Sequence, residues 1–134
     1  MNNNINCQII GVSYKNANLD IRGQFSLSDL QLHSLFLEAK EKSFKELLII
    51  NTCNRIEIFG WNNNTDDFIN LLCKHSNGDI KTFEKFGYIL TGNKAIKHLF
   101  RVGTGLDSQI LGDFEIIGQL KQSLNKSKRL NLVS

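Results

Sequence analysis

Glu46-Leu-Leu-Ile-Ile-Asn-Thr-Cys-Asn-Arg-Ile-Glu-Ile-Phe-Gly-Trp61 is the stretch that decides how this chain folds. Two short apolar runs, Glu46 to Asn51 and Ile56 to Trp61, flank Thr52-Cys53-Asn54-Arg55, a connection of hairpin length, and so predict a pair of adjacent strands. Upstream, Ser26-Leu27-Ser28-Asp29 has the S-x-x-D form that starts helices. Leu32, Leu35, Phe36 and Ala39 then follow at i, i+3, i+4 and i+7, predicting a helix that runs to about Lys42. Before it, the apolar run Ile5 to Val12, with Ile9, Ile10 and Val12, reads as a strand leading into a polar loop through Asn18. Downstream, Asn62-Asn63-Asn64-Thr65 is turn-rich, and Phe68, Leu71 and Leu72 predict a second helix ending near Asn77-Gly78. Phe86 to Leu90 is a candidate fourth strand.

The resulting order, β-α-β-β-α-β, predicts the α+β class: a ferredoxin-like, four-stranded antiparallel sheet with two helices on one face. Additional C-terminal helices are expected from about Asn93 to Val102 and from Phe114 to Lys128, the latter carrying Ile116, Ile117, Leu120 and Leu124. Gly103 through Gly112 breaks them with residues that permit unusual backbone angles. No repeat, low-complexity tract or linker divides the sequence, so one domain over 1–134 is expected.

Composition agrees with a single domain: 134 residues, 41% hydrophobic, can bury a core without disulfide staples. Cys7, Cys53 and Cys73 are odd in number and widely spaced, unlike a disulfide framework or a zinc site with paired C-x-x-C ligands. A reducing, cytoplasmic setting is the expectation. No apolar run reaches the roughly 18 residues of a membrane span, and Met1-Asn-Asn-Asn lacks the regions of a signal peptide, so the chain reads as soluble. A net charge of +3 does not announce a nucleic-acid-binding protein, and the basic cluster Lys121 to Arg129 reads as a solvated helix face.

Cys53 stands out on chemical grounds. A cysteine in a connection held by two apolar strands is exposed on a rigid mount, whereas one in mid-strand is usually inert packing. The guanidinium of Arg55 and the loop amides of Asn54 and Arg55 could stabilise a thiolate, which would activate it as a nucleophile. The bland alternative is a plain loop cysteine. Cys7 and Cys73, on strand and helix patterns, default to packing. His98, three residues after Ala95 at the edge of an apolar stripe, is a candidate partner, although a satisfied structural histidine is the ordinary reading there. His33 and His75 fall on helix patterns, where His75 can complement a helix dipole.

Leu48-Ile-Ile-Asn-Thr-Cys-Asn-Arg-Ile-Glu-Ile-Phe59 resembles the S-T-C-N-R-x-E-[IL]-Y segment of glutamyl-tRNA reductases. His98-Leu-Phe-Arg-Val-Gly-Thr-Gly-Leu-Asp-Ser-Gln-Ile-Leu-Gly112 is similar to their H-L-F-R-V-A-S-G-L-D-S-x-[VI]-L-G segment. Gly11-Val-Ser-Tyr-Lys-Asn-Ala17 with Asp20-Ile-Arg22 resembles the family's opening motif, so the resemblance covers nearly the whole chain. Three departures stand out: Asn18 where the family usually has proline, Tyr14 where many members have histidine, and Asp113-Phe114-Glu115 where Glu-Pro-Gln is commoner.

The resemblance implies a two-step reduction. Cys53 would attack the ester joining glutamate to the tRNA 3′ end, giving a thioester that NADPH reduces to glutamate-1-semialdehyde for tetrapyrrole synthesis. A thioester carbonyl has less resonance stabilisation than an oxoester and accepts hydride more readily, which explains sulfur at this position. By the same match Thr52, Asn54 and Arg55 complete a substrate loop, with Arg55 as the fork for the glutamate side-chain carboxylate. His98 would orient or polarise the ester as a second catalytic residue, and Ser108, Asp113, Phe114, Glu115 and Gln119 match further substrate-contacting positions. Glutamyl-tRNA is the implied partner, with a homodimer and glutamate-1-semialdehyde aminomutase as partners of the full-length form.

The family's NADPH-binding and dimerisation domains lie beyond this chain, and no G-x-G-x-x-G follows a strand here. The expectation is therefore a catalytic domain that binds no cofactor and, alone, reduces nothing. Two other readings remain open: a non-catalytic RNA-binding or regulatory module on the same fold, and a cysteine hydrolase using Cys53 and His98. Phe59 and Trp61 alternate on one strand but lack the signature of an RNA-stacking platform.

Overall fold

Cys7, Ile9 and Gly11 alternate with Gln8, Ile10 and Val12 along the first strand, β1 (Asn6–Ser13), and both sets are buried, so the sheet built on this strand is covered on both faces. The computed structural model describes residues 6–42, 44, 47–62 and 64–104. After β1 come helices α1 (Leu19–Phe25) and α2 (Asp29–Glu41), strands β2 (Leu47–Asn51) and β3 (Arg55–Asn62), helices α3 (Thr65–His75) and α4 (Ile80–Phe86), strand β4 (Tyr88–Thr91) and helix α5 (Asn93–Thr104). The strands lie in the order β2-β3-β1-β4, every pair antiparallel. This is the α+β arrangement expected from the β-α-β-β-α-β order, with each crossover made of two helices rather than one.

Local capping explains where the helices begin. The Asn18 side chain accepts from the Ile21 amide to start α1. Ser28 starts α2 with a full capping box: its Oγ accepts from the Gln31 amide at 3.1 Å, and Gln31 Oε1 accepts from the Ser28 amide at 2.9 Å. The expected start at Ser26 is therefore displaced by two residues. Ser26 instead ends α1, its amide donating to the Arg22 carbonyl. Short α1 and α4, each 7 residues, are too brief to display a helical period, and the sequence reading passes over both. Phe86 belongs to α4, and Gly87 caps that helix before β4 begins at Tyr88.

Two apolar layers follow from the strand alternation. On one face, Ile10, Val12, Leu47, Ile49, Ile56 and Ile58 pack under α1 to α4, against Phe25, Leu35, Phe36, Phe68, Leu72 and Phe83. On the other, Ile9, Ile50, Phe59 and Leu90 pack under α5 through Ala95, Leu99 and Val102. Gly92, at φ 63°, makes the tight link from β4 into α5 in a backbone conformation that glycine adopts without strain. The helix expected over Phe114 to Lys128 lies outside the described residues.

Candidate active site

The connection between β2 and β3 is organised by Thr52. Its amide donates to the Arg55 carbonyl at 2.9 Å, and its Oγ1 accepts from the amides of Asn54 and Arg55, both at 3.1 Å. The two amides that the sequence offered to a thiolate are thus already committed to a hydroxyl inside the turn. Three further ties fasten the turn to the chain between β1 and α2. Tyr14 donates its amide to the Asn54 carbonyl at 2.9 Å. Asn51 exchanges two hydrogen bonds with the Leu27 backbone at 2.7 and 3.1 Å. Arg22 donates Nε–H to the Cys53 carbonyl at 3.1 Å and Nη1–H to the Ala17 carbonyl at 2.8 Å.

Cys53 at the tip of this turn is exposed, while Cys7 is buried and Cys73 half-buried. Burial pushes the Cys7 thiol up. Burial and then the charge of Asp79 push Cys73 up to about 11. Both are held as unreactive thiols at neutral pH, in keeping with their packing roles. The Cys53 sulfur lies 4.0 Å from Asn54 Oδ1, and among the described residues its hydrogen-bonding contact is to that amide rather than to Arg55 or His98.

Arg55 and His98 meet at a residue the sequence reading left unassigned, Glu57. The pleat places Arg55 and Glu57 on the α5 face of the sheet, beside Ser13 and Gly11 of β1, with Tyr88 of β4 opposite Gly11. Glu57 is 0% exposed. Its Oε2 accepts from the Tyr88 hydroxyl, lies 2.5 Å from His98 Nε2 and 3.6 Å from Arg55 Nη1. A carboxylate only accepts, so the His98 tautomer with its proton on Nε2 satisfies this contact and leaves Nδ1 as the ring's acceptor. Burial, followed by the Glu57 charge, raises the Tyr88 pKa far above the ordinary tyrosine range, so the phenol remains a donor.

Arg55 is 1% exposed and its guanidinium also sits 5.7 Å from the Tyr14 ring centroid. Its Nη1 faces Glu57 inside the protein. Asn54 is buried as well, and Thr52 half-buried. Ser108, Asp113, Phe114, Glu115 and Gln119 lie outside the described residues. Phe59, on the strand that lacks the signature of an RNA-stacking platform, is 3% exposed beneath α5, so the sheet face such a platform needs is occupied. Glu57 was detectable in principle: a charged residue two positions after Arg55, inside an apolar strand, must share its face and demands a buried partner.

No helix among the described residues is long and apolar enough to cross a membrane. The profile of the family described as Glutamyl-tRNAGlu reductase, N-terminal domain, matches residues 10–134. The chain is 50% identical over 125 residues to the glutamyl-tRNA reductase of Christiangramia forsetii, covering 93% of this chain and 30% of that protein. It is 33% identical over 126 residues to that of Acinetobacter baumannii, with the same coverage of 93% and 30%. Among solved structures, the glutamyl-tRNA reductase of Methanopyrus kandleri superposes with a TM-score of 0.75 at 20% identity, over 96% of this chain and 30% of that one, a likeness of fold. The chain thus spans about 30% of the length of these relatives. With its family profile, its relatives and its fold in agreement, the chain belongs to the glutamyl-tRNA reductase N-terminal domain family.

Proposed function

We propose that this chain carries out the acyl-transfer half of a glutamyl-tRNA reductase reaction, with Cys53 as nucleophile. The observation that carries the reading is that Cys53 is the exposed thiol of three free ones, on a turn tied to the β1–α2 segment at Asn51, Cys53 and Asn54. A rigid mount lowers the entropic cost of bringing sulfur to a carbonyl. The sulfur attacks the ester carbonyl carbon of glutamyl-tRNA. The C–S bond forms, the C–O bond to the 3′ ribose breaks, and the ribose oxygen leaves with a proton. His98, held through Nε2 by Glu57, is the proposed residue to orient the ester, and its Nδ1 passes to the ribose oxygen a proton first accepted from the Cys53 thiol.

Arg55, ion-paired with Glu57 through Nη1, is the proposed fork for the substrate side-chain carboxylate. Thr52 shapes the turn, Asn54 borders the sulfur, and Ser108, Asp113, Phe114, Glu115 and Gln119 remain proposed substrate contacts from their motif positions. The described residues do not fit a dinucleotide: the sheet is wholly antiparallel, and β1 leads into Tyr14-Lys15-Asn16 rather than a glycine-rich loop. The chemistry assigned to these residues ends at the thioester, and NADPH, a homodimer and the aminomutase partner are proposed for the full-length relatives' arrangement.

Incubation of the chain with glutamyl-tRNA, acid quenching and peptide mass spectrometry should find a glutamyl adduct on Cys53 that hydroxylamine removes. Cys53→Ser should abolish the hydroxylamine-labile thioester. Unmodified Cys53 with intact, bound glutamyl-tRNA would sink the reading and favour a non-catalytic RNA-binding role.

A further inference from the structure

Ser13 ends β1 in a sharp turn: its carbonyl accepts from the amides of Asn16 at 3.2 Å and Ala17 at 3.0 Å. This turn is tied to the cysteine turn at two points. The Tyr14 amide donates to the Asn54 carbonyl at 2.9 Å, and Arg22 bridges the carbonyls of Ala17 at 2.8 Å and Cys53 at 3.1 Å. The backbone of Tyr14 is therefore fixed relative to the loop that bears the sulfur. Its half-buried side chain meets the other functional group of that loop, the ring centroid lying 5.7 Å from the Arg55 guanidinium carbon. That is within reach of the attraction between a cation and an aromatic face. A ring face attracts the charge as a whole, so it can hold a guanidinium without consuming the in-plane N–H donors that a carboxylate needs. Glu57 attracts Nη1 from 3.6 Å, beyond hydrogen-bond range, so that ion pair sets the charge balance more than the tilt of the guanidinium plane.

We propose that Tyr14 is a specificity-determining positioning residue: its ring holds the Arg55 fork at the angle that receives the substrate side-chain carboxylate, and its amide holds the loop that presents Cys53. The inference rests on the acyl-transfer reading for the identity of the substrate, and adds to it the residue that sets nucleophile and carboxylate receptor at a fixed offset. A bidentate contact needs two N–H groups aimed together, and a fork oriented beforehand loses less side-chain freedom when the carboxylate arrives. Glutamate gains from that orientation through both carboxylate oxygens. Glutamine, whose amide offers one acceptor oxygen and no charge, gains less.

The test compares single-turnover transfer to Cys53 from the same tRNA charged with glutamate or glutamine. Tyr14→Leu should lower the preference for glutamate by roughly three- to tenfold, the size of a partly desolvated attraction between cation and ring. Transfer of glutamine should stay as in the parent, because the tie to Asn54 is made by the backbone amide and survives the substitution. Tyr14→Phe keeps the ring and should keep the preference. Alkylation of Cys53 by iodoacetamide reports the presentation of the sulfur and should be the same in all three proteins. Equal slowing with both charged tRNAs, together with an altered iodoacetamide rate, would show that Tyr14 only braces the turn and would overturn the proposal. A loss in Tyr14→Phe as large as in Tyr14→Leu would move the role to the hydroxyl and overturn it as well. Glutarate, a dicarboxylate with neither ester nor tRNA, separates the proposal from the function on which it builds. Its binding, followed by NMR on the Arg55 Nε–H resonance, should weaken in Tyr14→Leu by the same factor and hold in Tyr14→Phe. If neither charged tRNA modifies Cys53 in the parent while glutarate binding still falls in Tyr14→Leu, the acyl-transfer reading fails and the role of Tyr14 stands. If the thioester forms but preference and glutarate binding are alike in parent and Tyr14→Leu, or glutarate leaves Arg55 unmoved in the parent, the role of Tyr14 fails and acyl transfer stands.

Discussion

At the scale of the residue, Glu57 carries a high desolvation cost. A carboxylate at 0% exposure loses its hydration, and among the described residues the guanidinium of Arg55, the phenol of Tyr88 and the imidazole of His98 offset that loss. Its other oxygen, Oε1, is buried with no hydrogen-bond partner among the described residues, so the network is incompletely satisfied. Removing it takes the Glu57 counter-charge from the buried Arg55 guanidinium. Glu57→Ala is expected to cost about 3–5 kcal/mol, read as a fall in the urea midpoint at unchanged slope, with Glu57→Gln costing less because an acceptor remains. A loss under about 1 kcal/mol for the alanine variant would mean that the pair contributes little beyond its own desolvation. The same carboxylate sets the His98 ring, so a structural choice and a catalytic one are joined in a single side chain.

At the scale of the element, β1 reaches the site through a residue without a side chain. Gly11 lies opposite both Glu57 and Tyr88 across its two strand pairings. A Cβ there would stand 2.7 Å from Glu57 Cγ, 2.8 Å from the Ile56 carbonyl oxygen and 2.9 Å from the Tyr88 hydroxyl. The carbonyl belongs to the sheet and cannot yield without parting β1 from β3. Gly11→Ala should therefore destabilise the fold by about 1–3 kcal/mol, an overpacking penalty visible in thermal denaturation. A variant as stable as the parent would show that the sheet relaxes around the added methyl. The role of the glycine is space for the carboxylate and phenol that face it, and its motif position before Val12-Ser13-Tyr14 acquires a physical reason.

At the scale of the whole molecule, a second carboxylate ties the helical layer together from outside. Glu38 of α2 contacts Lys42 at 2.8 Å, Lys74 of α3 at 2.8 Å and His75 at 2.9 Å. Partial burial raises the Glu38 pKa, but hydrogen bonds from Lys42, Lys74 and His75 and the Lys42 charge outweigh it and hold the group at about 2, against 4.5 unperturbed. With the folded value depressed, the unfolded chain binds more protons in between. The stabilisation is present above about pH 4.5 and is lost as pH falls toward 2. Because Lys42 and Lys74 are largely exposed, solvent screening keeps the contribution near neutrality to about 1 kcal/mol or less. Glu38→Gln should flatten this part of the acid limb in urea titrations at several pH values. An acid limb that keeps its full slope in the variant would place the transition on other carboxylates.

The strand pair around Cys53, the four-strand order and the helical stripe of α2 were legible because they depend on local periodicity, which hydrophobic burial enforces residue by residue. The exposed cysteine was legible in part, since a connection between two paired strands lies at the sheet rim, although Asn54 in the same turn is buried. The seven-residue helices α1 and α4 were not, because two turns are too few to display a period and their formation depends on caps and packing. Nor did the sequence show that Arg55 turns inward to Glu57 while Arg22, 31 residues before Cys53, holds its carbonyl. That Arg55 meets Glu57 and Arg22 the Cys53 carbonyl is fixed by the sheet register and the docking of α1 and α5, and those are set by packing between distant segments rather than by local pattern.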